Sequence, residues 1–422
     1  MLIASVAQKL ETEATALAAD LAELGRTRVA LSAERDVAKA RQTEIESRRA
    51  ELAGLIERRQ ATVARLADGV LNASVTGKTW YLGNVTNTGN IISKRQAQMR
   101  RQDYVYWGSP VADQNLLAFS PLTLTNRFYV LDETTNGFVQ INPLTTSFAP
   151  AKGYMVRAPN TFPTTVATFY GQFAGVPNNG TKSIPVTVNS QGYNLIGNPY
   201  PSPVNANAFL VSNPGTLYFW THTTQGAESG ANYASYNTVG GVAAIAGGAT
   251  PNGIIQTGQG FILSKTVAGN AVFTNLMRSG NNTGQFFRDN LEKHRIWLNL
   301  STDTTPLNQT LIGYMDGATQ SKDVAIDGEL LENGSTISSI IGDENFVIQG
   351  RSLPFDANDV VPLNFNAETA GQYTIGIDHV DGVFSESQDI FLKDNLVGTV
   401  ANIKTSPYTF TSAQGNFANR FE

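Results

Sequence analysis

Cysteine is absent from all 422 residues, which removes a disulfide framework, a thiolate metal site and a cysteine nucleophile together. Histidine is scarce. His222, His294 and His379 fall in different expected elements with no HxH or HExxH spacing, so neither a metal nor a cofactor is expected on them. No serine stands in a GxSxG or supported SxxK context. Acidic turns containing Asp316, Asp323 and Asp327, or Asp356 and Asp359, offer hard oxygen atoms but lack calcium-loop spacing, and they read as solvated turns. The residues therefore point to no reaction type, and the chain reads as non-catalytic.

Two further absences concern location and partners. No apolar run reaches about 18 residues, so no transmembrane helix is expected, and Met1-Leu2-Ile3 enters a helical pattern without the basic start of an export signal. A net charge of −5 gives nucleic acid no electrostatic footing. Aromatic residues are missing before Trp80 and proline before Pro110. That leading stretch is dense in balanced charge, with 11 basic and 11 acidic residues in positions 1–70.

Within it Ile3, Leu10, Leu17, Leu24, Leu31, Ala38, Ile45 and Leu52 recur every seven residues, one row of a heptad seam. The companion row is polar at its centre: Arg28, Arg35, Gln42 and Arg49. A long α-helical coiled coil is expected over residues 1–70, on the order of 100 Å long at 1.5 Å per residue. A helix–helix partner would meet residues 3–66. The segment LAADLAELGRTRVALSAERDVAKARQTEIESRRAELAGLIERR resembles the coiled coils of bacterial murein hydrolase activators. That resemblance implies a scaffold for a cell-wall hydrolase as one alternative, although the metallopeptidase-like domain of that family does not follow.

Beyond Gly77 the composition turns to Thr, Asn, Gly, Tyr and Phe with turn signals every eight to twelve residues, an all-β pattern. One unit occurs twice. Trp107-Gly108-Ser109-Pro110 matches Ile196-Gly197-Asn198-Pro199, Ala118-Phe119 matches Ala208-Phe209, and Phe128-Tyr129-Val130 matches Tyr218-Phe219-Trp220. The copies close with Lys152–Val156 and Gln259–Leu263, and residues 226–253 read as a surface loop inserted in the second. Short strands then recur from Ile296 to Phe410, which fits a sandwich.

The expected fold is thus mainly β: a coiled coil (1–70), two related β-modules (71–180 and 181–289) and a C-terminal Ig-like β-sandwich (290–422). Trp107 and Trp220, read as occupying corresponding places in the copies, are the candidates for stacking on surface glycans, with core packing as the competing use. A glycan-binding β-module on a stalk is the other alternative function.

The strings YVYWGSPVADQNLLAFSP, FAPAKGYMVRAP, YNLIGNPYPSPVNANAFL, GQGFILSK, KHRIWLNLS and IFLKDNLVGTVANIKTSPYTFTSAQGNFANRFE carry a second resemblance. From about Trp80 to Glu422 the chain resembles the C-terminal region of secreted and cell-surface Bacteroidetes proteins that bear a type IX secretion sorting domain. The resemblance implies a secreted or outer-surface location, the type IX machinery as partner, and a structural, adhesive and export-sorting role. It places the sorting strand at Tyr408, Phe410, Phe417, Asn419, Arg420 and Phe421, with the three phenylalanines packed and Asn419-Arg420 exposed. Family sequences continue beyond Asn-Arg-Phe-Glu, so a truncated final strand with an open edge is expected at Glu422.

Overall fold

The structure is a computed structural model that describes residues 9–29, scattered helical positions up to 48, and residues 87–221, 232–279, 292–331 and 333–422. It divides into two compact units, Met1–Ala73 and Ser74–Glu422. His222 and the heptad positions Ile3, Ile45 and Leu52 lie outside the described residues.

Residues 9–29 form a helix, α1, whose side chains are all exposed. Leu10, Leu17 and Leu24 are 61%, 62% and 66% exposed. The long N-terminal coiled coil is therefore overturned: among the described residues nothing packs on this seam. One apolar row makes a helix amphipathic, but knobs-into-holes packing needs the second row, and here arginine and glutamine interrupt it.

In the larger unit the first copy runs β1 (Ile91–Met99), β2 (Tyr104–Trp107), α2 (Leu116–Phe119), β3 (Phe128–Asp132), β4 (Gly137–Gln140), β5 (Tyr154–Arg157) and β6 (Ala167–Gly175). The second runs β7 (Lys182–Val186), β8 (Tyr193–Gly197), β9 (Val204–Asn205), α3 (Ala206–Ser212), β10 (Thr216–Trp220), β11 (Tyr233–Tyr236), β12 (Gly241–Val242), β13 (Ile254–Ile255), β14 (Gly260–Ser264) and β15 (Gly269–Phe273). Their sheets share one order, β2-β5-β3-β4 and β8-β14-β10-β11-β12, each beside a separate two-stranded pair, β1-β6 or β7-β15. Short helices start at the same place in both: Asn115 and Asn205 each cap the N-terminus by accepting the backbone N–H three residues on. The stretch read as an inserted loop instead supplies β11, the counterpart of β4, and β12, which adds a fifth strand to the second sheet.

Hydrogen-bond register corrects the matching of the copies by one residue. Phe128 and Tyr129 pair with Val156 and Met155, whereas Leu217 and Tyr218 pair with Leu263 and Ile262. Tyr129 is thus the equivalent of Tyr218, and Trp220 corresponds to Leu131. Trp107 corresponds to Ile196, because each pairs with the aromatic residue of its closing strand, Tyr154 or Phe261. The two tryptophans do not occupy corresponding places.

The copies meet about a local two-fold axis. A Cβ on Gly108 would lie 2.8 Å from the Gly197 Cα, and one on Gly197 2.6 Å from the Gly108 Cα. Equivalent glycines thus permit backbone-to-backbone contact that any side chain would block. Around them the contacts repeat in pairs. The Gly108 N–H donates to the Gly258 carbonyl at 3.1 Å, and the Gly197 N–H to the Ala151 carbonyl at 2.9 Å. Trp107 bridges to Gln259 and Ile196 to Lys152. Four equivalent pairs then build a shared apolar cluster: Tyr106 with Leu195, Met155 with Ile262, Leu131 with Trp220, and Phe138 with Tyr233. A contact in which i meets j and j meets i is the isologous arrangement of two-fold dimers, here within one chain.

The remaining strands are β16 (Lys293–Ser301), β17 (Pro306–Met315), β18 (Gly328–Glu329), β19 (Thr336–Ile341), β20 (Glu344–Ser352), β21 (Leu363–Ala367), β22 (Gly371–Val380), β23 (Phe391–Asp394), β24 (Thr399–Asn402), β25 (Tyr408–Ser412) and β26 (Gly415–Phe421). They form one 11-stranded sheet in the order β24-β23-β26-β21-β19-β20-β17-β16-β22-β25, with β18 beside β20. The Ig-like β-sandwich is therefore overturned. A sandwich keeps two sheets apart, whereas here the parallel pairing of β17 with β20 joins everything into one sheet that curls into a nearly closed barrel. At the seam the rings of Phe410 and Phe421 lie 4.7 Å apart.

Candidate functional site

The final strand, β26, is not an open edge. β21 pairs with it on one side, from Ala367↔Gly415 to Leu363↔Phe421, and β23 on the other at Asp394↔Phe421. The Asn395 N–H donates to the Arg420 carbonyl at 2.7 Å, and Lys393 and Glu422 exchange backbone hydrogen bonds of 2.8 and 3.2 Å. The expected unpaired end at Glu422 is thus closed by β23.

Arg420, expected to be exposed, is buried. Between the pairs Leu363↔Phe421 and Phe365↔Phe417 the register shifts, leaving two extra residues on β26, and this irregularity turns Arg420 inward beside Phe421. Its guanidinium lies over the rings of Phe410 at 4.5 Å and Phe421 at 4.9 Å. Its Nη2 donates to Asp394 Oδ2 at 2.9 Å, and its Nε is 3.2 Å from both carboxylate oxygens. The Tyr408 hydroxyl donates to the same carboxylate at 3.1 Å; burial first, then the negative charge of Asp394, raises its pKa. Phe410, Phe417 and Phe421 pack into the barrel core, and Asn419 remains exposed. Asp394 is the member of this site that the sequence did not single out. It lies 26 residues from Arg420 on another strand, and only sheet order brings them together.

Beside this lock, the β23–β24 hairpin exposes Phe391, Leu396, Val397 and Val400. β24 ends the sheet path, so its outer main-chain groups face away from the sheet.

The two candidate tryptophans have different fates. Trp107 is 2% exposed, and Phe119 and Phe169 meet it edge to face at 5.0 and 5.8 Å. It is core. Trp220 is half-buried in the cluster between the copies, stacked on Tyr106 at 5.8 Å with Tyr233 against its edge at 5.1 Å.

Buried ionisable groups are engaged in bracing. Glu133 reaches from the first copy into the β7–β8 connection of the second, where it accepts N–H bonds from Asn189, Ser190 and Gly192 and a hydroxyl bond from Thr187, at 2.7–2.9 Å. Burial alone would raise its pKa, but these four donors lower it to about 2. Asp327 accepts the N–H groups of Asp323 and Gly350. Burial nonetheless pushes its pKa up to about 6. Asp359 holds Arg351 and the Tyr314 hydroxyl. Among the described residues no three His, Asp or Glu side chains are grouped to hold a metal ion, and no helix is long and apolar enough to cross a membrane.

Residues 60–422 match the model of a family described as a domain of unknown function, DUF8693. The chain belongs to that family. No curated protein and no solved structure matches it. The DUF8693 match begins upstream of the first copy and runs through the last residue, so it takes in both copies and the barrel. Within the DUF8693 region Glu133 was likewise not singled out, because its partners, three backbone N–H groups and a hydroxyl, stand 54 to 59 residues away in the other copy.

Proposed function

We propose that the DUF8693 region is the non-catalytic end of a secreted or outer-surface protein, and that its barrel is the part a type IX secretion machinery sorts. The proposal rests on the resemblance of the quoted strings and on one structural observation. The sheet ends at β24, an edge strand beside exposed Phe391 and Val400, while the chain's last strand is tied down by Arg420. Recognition would then proceed by strand addition at β24: main-chain bonds supply affinity and apolar side chains supply selectivity. The bracing roles of Glu133, Asp359 and Asp394 support a structural part.

A reporter carrying residues 290–422 at its carboxy end tests this reading in cells with and without a working type IX machinery. Delivery to the surface or medium that requires the machinery, and that falls in the Phe391→Asp/Val400→Asp variant, is the expected result. Equal retention in both backgrounds contradicts it.

A further inference from the structure

Because the copies are equivalent, what covers one can be compared with what covers the other. In the second copy a row across the sheet, Tyr193–Ser264–Thr216, lies against the barrel. The Tyr193 hydroxyl donates to Glu329 Oε2 at 2.7 Å, the Tyr218 hydroxyl to the Glu329 carbonyl at 3.0 Å, and the Thr216 hydroxyl to the Asp327 carbonyl at 3.3 Å. An extended acidic segment, Asp327-Gly328-Glu329, therefore occupies this face.

The equivalent row in the first copy is Tyr104–Arg157–Arg127: Tyr104 pairs with Arg157, and the Arg157 N–H donates to the Arg127 carbonyl at 3.2 Å. Its tyrosine pair is preserved, since Tyr104 meets Tyr129 edge to face at 5.9 Å as Tyr193 meets Tyr218 at 6.1 Å. Here the face is half-exposed, and arginines stand where the covered copy has serine and threonine. Like charges on neighbouring strands repel. Among the described residues no carboxylate reaches either one; Arg127 bonds the Tyr129 hydroxyl and Arg157 the Asn160 side chain. The Nε atoms of both are buried without an acceptor, a cost carried by the fold itself.

We propose that the Tyr104–Arg157–Arg127 row, with Tyr129, is a docking site for an extended acidic segment of a partner protein, equivalent to the face that Glu329 covers in the second copy. Charge complementarity selects the occupant: two guanidiniums and two phenols present donors to carboxylates and main-chain carbonyls.

The test uses the full chain and a fluorescent peptide, AIDGELLEN, copied from residues 325–333, followed by anisotropy. Saturable binding is expected that weakens with salt, drops about tenfold or more when the peptide's glutamates become glutamine, and drops similarly in Arg127→Glu/Arg157→Glu and in the milder Arg127→Gln/Arg157→Gln. Absence of saturable binding overturns the proposal. So does binding indifferent to the arginines, or binding changed only by Tyr193→Phe, which would place the peptide on the second copy. Self-association of the full chain that Arg127→Glu abolishes would name a second copy as the occupant and overturn the assignment to a partner protein.

Discussion

In each copy of the repeated unit two tyrosines meet edge to face, Tyr104 with Tyr129 and Tyr193 with Tyr218, yet their surroundings differ. The second pair lies under the barrel, and Tyr218 is 1% exposed; the first is half-open and flanked by Arg127 and Arg157. The second copy is gripped on two sides, by the first copy and by the barrel, where Val239 and Val242 pack with Trp297 and Leu311. Duplication thus supplied one topology, and neighbours decided which polar groups each copy keeps. A covered row carries small hydroxyls, and an open row carries cations.

The comparison breaks most severely at the glycine seam. Gly197→Val places methyl groups against the Gly108 backbone, which no rotamer relieves, and should cost about 3 kcal/mol. Urea unfolding of the full chain measures it; a loss below about 0.5 kcal/mol would mean the copies do not touch there. Glu133 comes next, since it ties one copy to the other. Glu133→Gln should cost about 2 kcal/mol at pH 7, the scale of lost hydrogen bonds to a charged group. Because the folded pKa is lowered from 4.5 to about 2, this contribution is complete above about pH 4.5 and fades as pH falls through 2. Stability of the two proteins measured from pH 7 to pH 2 should therefore converge on acidification.

Tyr193→Phe and Tyr104→Phe form the sharpest matched pair. The first removes a hydroxyl that donates to Glu329 and should cost about 1.5 kcal/mol, whereas the second should stay within about 0.5 kcal/mol. Equal costs would deny the difference in covering. Last is Gly258→Ala, smaller than the Tyr193→Phe effect. Ala151 already holds the equivalent place at φ 63°, and Gly258 has φ 72°, so a left-handed alanine there should cost about 1 kcal/mol, with the Phe173 ring 3.1 Å from the new Cβ. Thermal midpoints suffice for that reading.

The duplication was legible because turns announce themselves: Gly108-Ser109-Pro110 and Gly197-Asn198-Pro199 need those residue types. Register was less so. Matching ring to ring placed Phe128 on Tyr218, but the pleat assigns faces by alternation, so one residue of slip exchanges core for interface. Trp107 and Trp220 lie on non-equivalent strands, β2 and β10, so likening them rested on ring type alone and not on a slip of register. The heptad row at Leu10, Leu17 and Leu24 correctly marked a helical stretch, but periodicity is a property of one chain and a coiled coil needs two surfaces. At the carboxy end the packing of Phe410, Phe417 and Phe421 was expected from the resemblance, and all three lie in or against the barrel core. The burial of Arg420 was not expected, because the irregular register against β21 and the partner Asp394 exist only once the sheet is ordered.

Amide hydrogen exchange at Gly108 and Gly197 tests the two-fold pairing of the copies most directly, because each N–H donates across the seam to the other copy. Slow exchange at both, with protection approaching that of global unfolding, is the expected result. Rapid exchange at either glycine while Leu217 and Phe261 stay protected would show two modules that fold separately, and would contradict an isologous pair built into one chain.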